Sequence, residues 1–475
     1  MLEIKKGPFE PELESLGQFE CPEWFRNAKF GIWSHWGPQS VPMYGDWYAR
    51  NMYIEGSDQY RYHCRKYGHP SEFGYKDIIN LWKAEKFDPA GLMDLFVEAG
   101  ARYFMGQAMH HDNFDNFDSE HPYNSVKMGP GMDICALWQK EARRHNLPFG
   151  LSEHQGASYT WFTHNKLCDK SGPYAGVPYD GCDKKNETLY RDNDSEICEE
   201  ADLKPWYTTN ERYQQDWFNR VKAAIDKFQP DLLYSDGALP FGKYGESIVA
   251  HLYNTSAACH DGKNHAVYQQ KSTDPVLSRT GVLDIERGVA DCAFVHPWQD
   301  DTSIGDWFYN VKDVYKTPAD ILDTLVDVVA KNGNLLMVVP QRPDGTIDFE
   351  CRAILKAIGA WMKDNSDGIY DTRPYKKFGE GTTLPAGGMF NESASKWTSK
   401  DIRFTQKGHS IYAFVMRPER EQAVIKSLGK LYEAEIKAVT VHGKPADFVQ
   451  KDGCLCVTLP ENPHKGMPMC IKAEI

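Results

Sequence analysis

Two carboxylic acids stand out because each closes a short apolar run. Asp236 ends DLLYSD and is followed by glycine, while Glu286 ends GVLDIE and is followed by Arg287. Two convergent carboxyl groups about 5 Å apart are what cleavage of a glycosidic bond with retained configuration requires: one attacks carbon, the other protonates the leaving oxygen and then activates water. Each residue also has a plainer reading. A strand-end aspartate is often a helix cap, and Glu286 with Asp284 and Arg287 could form a surface ion pair. Histidines close other runs: His35 ends KFGIWSH, His110 and His111 end YFMGQAMHH, and His154 ends PFGLSEH. Adjacent histidines invite a metal reading, with Asp112 and Asp236 as further ligands. Neighbouring strand side chains point to opposite faces, however, so both rings reach one site only if the strand has already ended. Binding of sugar hydroxyls is the preferred reading. The DNFDNFD stretch after them lacks the glycine and closing glutamate of a calcium loop. Around His35 lie Trp33, Trp36, Asp46 and Trp47, and aromatic walls with few polar donors suit a small sugar pocket. Buried structural tryptophans are the alternative.

These residues need a scaffold that brings strand ends together. Apolar runs recur at Lys29–His35, Tyr103–His111, Pro148–His154, Asp231–Asp236, His265–Lys271, Gly281–Glu286, Ala293–Gln299 and Asn334–Pro340. Near-continuous apolar runs of this length, separated by helices, fit a parallel sheet buried on both faces. Helical stretches are read at Asp88–Gly100, Asp133–Asn146, Glu211–Phe228 and Pro318–Gly333, the last with Ile321, Leu322, Leu325, Val328 and Val329 on one stripe. Eight such units predict a (β/α)8-like, TIM-type barrel, with an imperfect barrel or an open doubly wound sheet as alternatives. In a barrel the polar residues that end the runs gather at the carboxyl face, where active sites are built. After about residue 366 short alternating segments, HSIYAFV, AVTVH and CLCVTL, predict an antiparallel β-sandwich. The expected division is a catalytic domain over 1–365 and a sandwich domain over 366–475. The acidic stretch 165–205 reads as a loop at the barrel mouth.

Composition narrows the function. The formal charge of -13, without a basic run, disfavours nucleic acid, and no apolar run is long enough to cross a bilayer. The 12 cysteines form no CxxC zinc pattern, and their scatter fits a reducing compartment better than a disulfide framework. The start MLEIKKGPFEPE has no apolar leader, which leaves the compartment open between the cytoplasm and an exported protein that has lost its leader. Homo-oligomerisation is compatible with the sequence.

The motifs AKFGIWSHWG with the nearby DWY, MHHDNFDNFDS, DLLYSDG, NLLMVVPQRPDGTID and GIYDTRPYKKFGEG together resemble glycoside hydrolase family 29, the α-L-fucosidases. The resemblance implies a barrel followed by a β-sandwich, a retaining mechanism without metal or other cofactor, and a pocket for one terminal L-fucose of an oligosaccharide or glycoconjugate. Asp236 matches the nucleophile. His35, His110 and His111 match sugar-binding residues, and Trp47 matches the aromatic of a motif usually written EWY, with Asp46 here in place of glutamate. Glu286 is the match for the acid/base by strand order, with Glu153 as its first substitute. The chain departs from the pattern at Leu151–His154, where relatives often carry a tyrosine. Lys271 stands where many have arginine, and Gln299 follows Trp298 in a common PWE. Glu153, His154, Lys271, Trp298 and Trp307 complete the candidate sugar-binding set. These departures leave open a related L-sugar such as L-galactose, a sulfated or branched fucoside, or a catalytically silent sugar-binding relative.

Overall fold

The computed structural model describes residues 2–197, 205–392 and 395–475. Eight parallel strands close into a barrel: β1 (Phe30–Ser34), β2 (Tyr103–Met109), β3 (Phe149–Glu153), β4 (Leu232–Ser235), β5 (Val267–Gln270), β6 (Val282–Glu286), β7 (Trp298–Ser303) and β8 (Gly333–Val338). Each pairs with its sequence neighbours, and β8 closes on β1 in register from Phe30↔Leu335 to Trp33↔Val338. The apolar runs are strands because their two faces are both covered, by helices outside and by barrel-filling side chains within.

The seventh strand departs from its apolar signal. The run Ala293–Gln299 predicts it about five residues too early, for Val295 is 89% exposed while every residue of WQDDTS in β7 is buried. The cause is a polar patch in the barrel interior. The Tyr103 hydroxyl donates to Gln299 Oε1 at 2.7 Å, and Gln299 Nε2 donates to Asp284 Oδ1 at 2.8 Å. Hydropathy therefore points away from a strand whose inward side chains are amides and carboxyls.

Helices follow most strands, and their ends obey capping chemistry. The Asn210 side chain accepts from the Tyr213 amide to start the Glu211–Phe228 helix, and Thr317 with Asp320 forms a reciprocal box at the start of Pro318–Ala330. Between β5 and β6 there is only the 3-10 turn Leu277–Thr280, and between β6 and β7 the chain forms no helix. The barrel is thus the imperfect version. No helix among the described residues is long and apolar enough to cross a membrane.

Beyond the Phe349–Asn365 helix come β9 (Arg373–Glu380), β10 (Ile402–Lys407), β11 (Ser410–Val415), β12 (Gln422–Ile425), β13 (Ala438–Val441), β14 (Lys444–Pro445), β15 (Phe448–Gln450), β16 (Leu455–Thr458) and β17 (Met469–Glu474). They form two antiparallel sheets, ordered β14-β13-β17-β11-β10-β9 and β12-β16-β15, around a core that includes Phe404, Ile411, Val415, Leu455 and Ile471. This is the β-sandwich. The Pro318–Ala330 helix is buried on both sides, its aliphatic stripe against the barrel and its acids toward the sandwich. Asp327 accepts from Arg403 Nε of β10 at 2.5 Å and from Lys331 Nζ at 2.7 Å, with all three side chains 1% exposed. Removing one partner of such a network strands a buried charge, at a cost on the order of 3–5 kcal/mol. All 11 described cysteines are free, and Cys198 lies outside the described residues.

Candidate active site

The carboxyl ends of the barrel strands open into a cavity of about 670 Å³ that contains Asp236, Glu286, Lys271, the histidines 35, 110, 111 and 154, and the aromatics Trp33, Trp47, Trp206, Tyr234 and Trp307. Asp236 is the first residue past β4, its amide tied to the Glu153 carbonyl of β3. Gly237 follows with φ +114, a region that favours glycine, and an added Cβ would meet the Tyr207 hydroxyl at 2.4 Å. The glycine therefore makes room for Tyr207 and Trp206, which close the wall beside Asp236, rather than for a ligand.

Lys271, one residue past β5, reaches both carboxyl groups. Its Nζ is 2.8 Å from Asp236 Oδ1 and also donates to Glu286 Oε2. Two oxygens held by one nitrogen lie no more than two hydrogen-bond lengths apart, at most roughly 5–6 Å, a limit that fits the retaining arrangement better than the wider inverting one. The environment separates the two acids. Burial works against the Asp236 charge, but Lys271 and a hydrogen bond from His111, whose Nε2 is 3.2 Å from Oδ2, hold its carboxyl well below the usual range. Burial pushes Glu286 up to about 7, and Asp301 and Asp236 add to this against the pull of Lys271. One carboxylate is kept ionised and the other is poised to carry a proton near neutrality, the division of labour that acid and nucleophile need. Glu286 makes no ion pair with Arg287. The Arg287 guanidinium turns aside to lie 4.6 Å over the Trp307 ring and to donate to the Gly305 carbonyl at 2.8 Å, while Asp284 is fully buried inside the barrel.

The floor is made of histidines. β2 ends at Met109, with a register shift between Gln107 and Met109, so His110 and His111 are free of strand alternation and both face the cavity. Gln39 fixes the His110 tautomer: its Oε1 accepts from the Ala49 amide, so its Nε2 donates to His110 Nδ1 at 2.9 Å and the His110 Nε2 keeps its proton. His111 Nδ1 donates to the His154 carbonyl at 2.6 Å. Burial lowers His35 to about 3 and holds His110 and His154 well below the usual imidazole range, so all three are neutral at pH 7. The Nδ1 atoms of His35 and His154 are buried without a protein partner, a hydrogen-bonding capacity that the hydroxyls of a bound sugar would satisfy. Nitrogens of His35, His110 and His154 lie within 4.8 Å of one another, a spacing that suits a metal ion, but the Gln39 bond occupies the one lone pair of His110. The trio differs from the metal set read in the sequence. Asp112 instead accepts from the Tyr75 hydroxyl at 2.5 Å and does not line the cavity. The acidic run after it is structural: Asp115 pairs with Arg220 at 2.6 Å, and Asn113 accepts from Arg191 at 2.6 Å.

Asp46, Trp47 and Trp307 line the cavity walls. Burial and the neighbouring Asp306 raise the Asp46 carboxyl well above the usual carboxylate range. Two candidates fall outside. Glu153 is the last residue of β3 and points outward, where it accepts from Trp217 Nε1 of the Glu211–Phe228 helix and from the Gln155 amide, both at 3.0 Å. It cannot substitute as the acid. Trp298 is the first residue of β7, at the opposite end of the strand, and donates from Nε1 to the Lys331 carbonyl at 2.9 Å. The PWQ likeness that suggests it marks the start of β7 and not its carboxyl end.

Other cavity residues escaped the sequence reading. Asp301, beside Glu286 in the β6–β7 register, accepts from the Tyr234 hydroxyl at 3.0 Å. Its only signal was the DD doublet after PWQ. Trp206 closes the long 165–205 loop, of which residues 198–204 lie outside the described residues. Met389 and Phe390 come from the segment between β9 and β10, with no periodicity to announce them.

The α-L-fucosidase family model matches residues 2–367. The human tissue α-L-fucosidase is 26% identical, over 97% of this chain and 90% of its own. Among solved structures, the Thermotoga maritima α-fucosidase in complex with fucose superposes with a TM-score of 0.75 at 25% identity, covering 98% of this chain and 100% of that one. The Paenibacillus thiaminolyticus α-L-fucosidase isoenzyme 1 shares the fold with a TM-score of 0.67 at 20% identity, over 97% and 99% of the two chains. With two carboxyl groups sharing one ammonium above a histidine floor, and with a family match across the whole barrel, the chain belongs to the α-L-fucosidase family.

Proposed function

We propose that the protein releases terminal α-L-fucose from fucosylated oligosaccharides or glycoconjugates by double displacement. The observation that carries this reading is Lys271 within hydrogen-bond reach of both Asp236 and Glu286. Asp236 attacks the anomeric carbon while Glu286 gives its proton to the departing oxygen; Glu286, now ionised, then takes a proton from the water that opens the ester. Lys271 tracks this transfer of charge, facing one carboxylate in the free enzyme and the other once Asp236 is esterified. His35, His110, His111 and His154, with Asp46, hold the sugar hydroxyls, and Trp47 and Trp307 flank the ring. Proton NMR during hydrolysis should show α-fucose as the first product. First-formed β-fucose, or no fucose from any fucoside, would overturn the reading; parallel assays with α-L-galactosides decide between the two sugars.

A pH profile follows from the two carboxyl groups. The acid must be protonated to act, so kcat/KM for a fucoside with an alcohol leaving group should be sustained below about 7 and lost as pH rises through that value. The acid limb should lie below the ordinary carboxylate range, because Asp236 stays ionised there. A profile still rising at pH 8 would contradict this assignment.

A further inference from the structure

Phe390 is 67% exposed although it lines the catalytic cavity. It lies far from the barrel in sequence, in the segment that links β9 to β10. Four observations show that it is held in place there. The Phe390 amide donates to the carbonyl of Glu286 at 2.8 Å, and the Glu392 amide donates to the carbonyl of Arg287 at 2.8 Å. The Glu392 carboxylate accepts from Thr302 Oγ1 at 2.9 Å and from Lys316. The Gly388 amide donates to the Val289 carbonyl at 3.0 Å, and a Cβ on Gly288 would strike the Gly388 carbonyl at 2.0 Å, so the two backbones meet through glycine. Finally, Phe390 itself has φ 56, a conformation that side-chain-bearing residues keep only where their surroundings impose it.

The segment is therefore fastened to the strand end that carries Glu286, and it presents a bare aromatic ring at the cavity lip beside that residue. Glu286 must meet the glycosidic oxygen, so what stands next to it on the open side faces the group being expelled, while the histidines take the fucose. We propose that Phe390 is the platform on which the sugar bonded to that oxygen stacks, and that it sets preference among leaving groups. The inference rests on the fucosidase reading and adds to it a residue supplied from outside the barrel.

The test compares two substrates. α-L-Fucosyl fluoride carries no sugar on the leaving side, whereas a fucosyllactose does. For Phe390→Ala the ratio of kcat/KM on the best fucosyllactose to kcat/KM on the fluoride should fall roughly five- to tenfold, chiefly through KM on the oligosaccharide. Phe390→Trp should restore it. Because the ratio cancels any general loss of folded enzyme, an unchanged ratio overturns the role of Phe390. Turnover of the fluoride by the unaltered enzyme is what the fucosidase reading itself requires, so failure there is distinguishable and falls on that reading.

Discussion

Asp236→Gly should lower kcat on an aryl α-L-fucoside on the order of 10³–10⁵-fold with the fold retained, because no other group stands where the anomeric carbon must be attacked. The barrel tolerates the change, since Asp236 lies past the end of β4, its amide bond to the Glu153 carbonyl is kept, and its side chain bonds only to groups of the cavity. Two further consequences distinguish a nucleophile from a merely charged neighbour. With Asp236 gone, Lys271 is left to Glu286 alone and one like charge is removed, so the Glu286 carboxyl should fall from about 7 and the alkaline limb should move to lower pH. Added azide, entering the space vacated by the carboxylate, should attack the α-fucoside from the same face and give β-fucosyl azide. Retention of more than a tenth of the original kcat, or α-fucosyl azide from this variant, would move the nucleophile elsewhere.

Glu286→Ala should divide substrates by leaving group. A departing sugar alcohol needs a proton and should lose about 10²–10⁴-fold in kcat/KM, whereas a dinitrophenyl fucoside, which leaves unprotonated, should lose little in the first step. Its turnover should then stall at the ester, since no base activates water. Azide should release it as α-fucosyl azide, the opposite anomer to that from Asp236→Gly, because the ester has already inverted the centre once. Equal losses on both substrates, with no response to azide, would remove Glu286 from the role. Glu153 is not available to replace it, being held on the outer face of the barrel by Trp217.

Where side chains followed simple patterns, the sequence was a sufficient guide. DLLYSDG and GVLDIE are apolar strands with one polar tip, so placing the strands also placed Asp236 and Glu286. The helix stripe of Ile321, Leu322, Leu325, Val328 and Val329 was legible for the same reason. Legibility failed where burial is paid with hydrogen bonds instead of apolar surface. β7 fills the interior with Gln299 and Asp301, so hydropathy favours the exposed run before it and hides Asp301. Glu153 failed for a subtler reason: the end of β3 was visible, but the face of its last residue was not, and one step of alternation separates it from His154 inside. Phe390 and Met389 reach the cavity only through long-range folding of the segment between β9 and β10, which local sequence cannot announce.

In double displacement Asp236 forms a covalent bond to the sugar. 2-Deoxy-2-fluoro-α-L-fucosyl fluoride provides the direct test: the fluorine at C2 slows both steps, and the fluoride leaving group lets the first outrun the second, so the ester accumulates. Peptide mapping of the inactivated protein by mass spectrometry should find the fluorosugar on Asp236, in the DLLYSDG segment. A label on Glu286 or any other residue, or inactivation without a covalent adduct, would contradict the account.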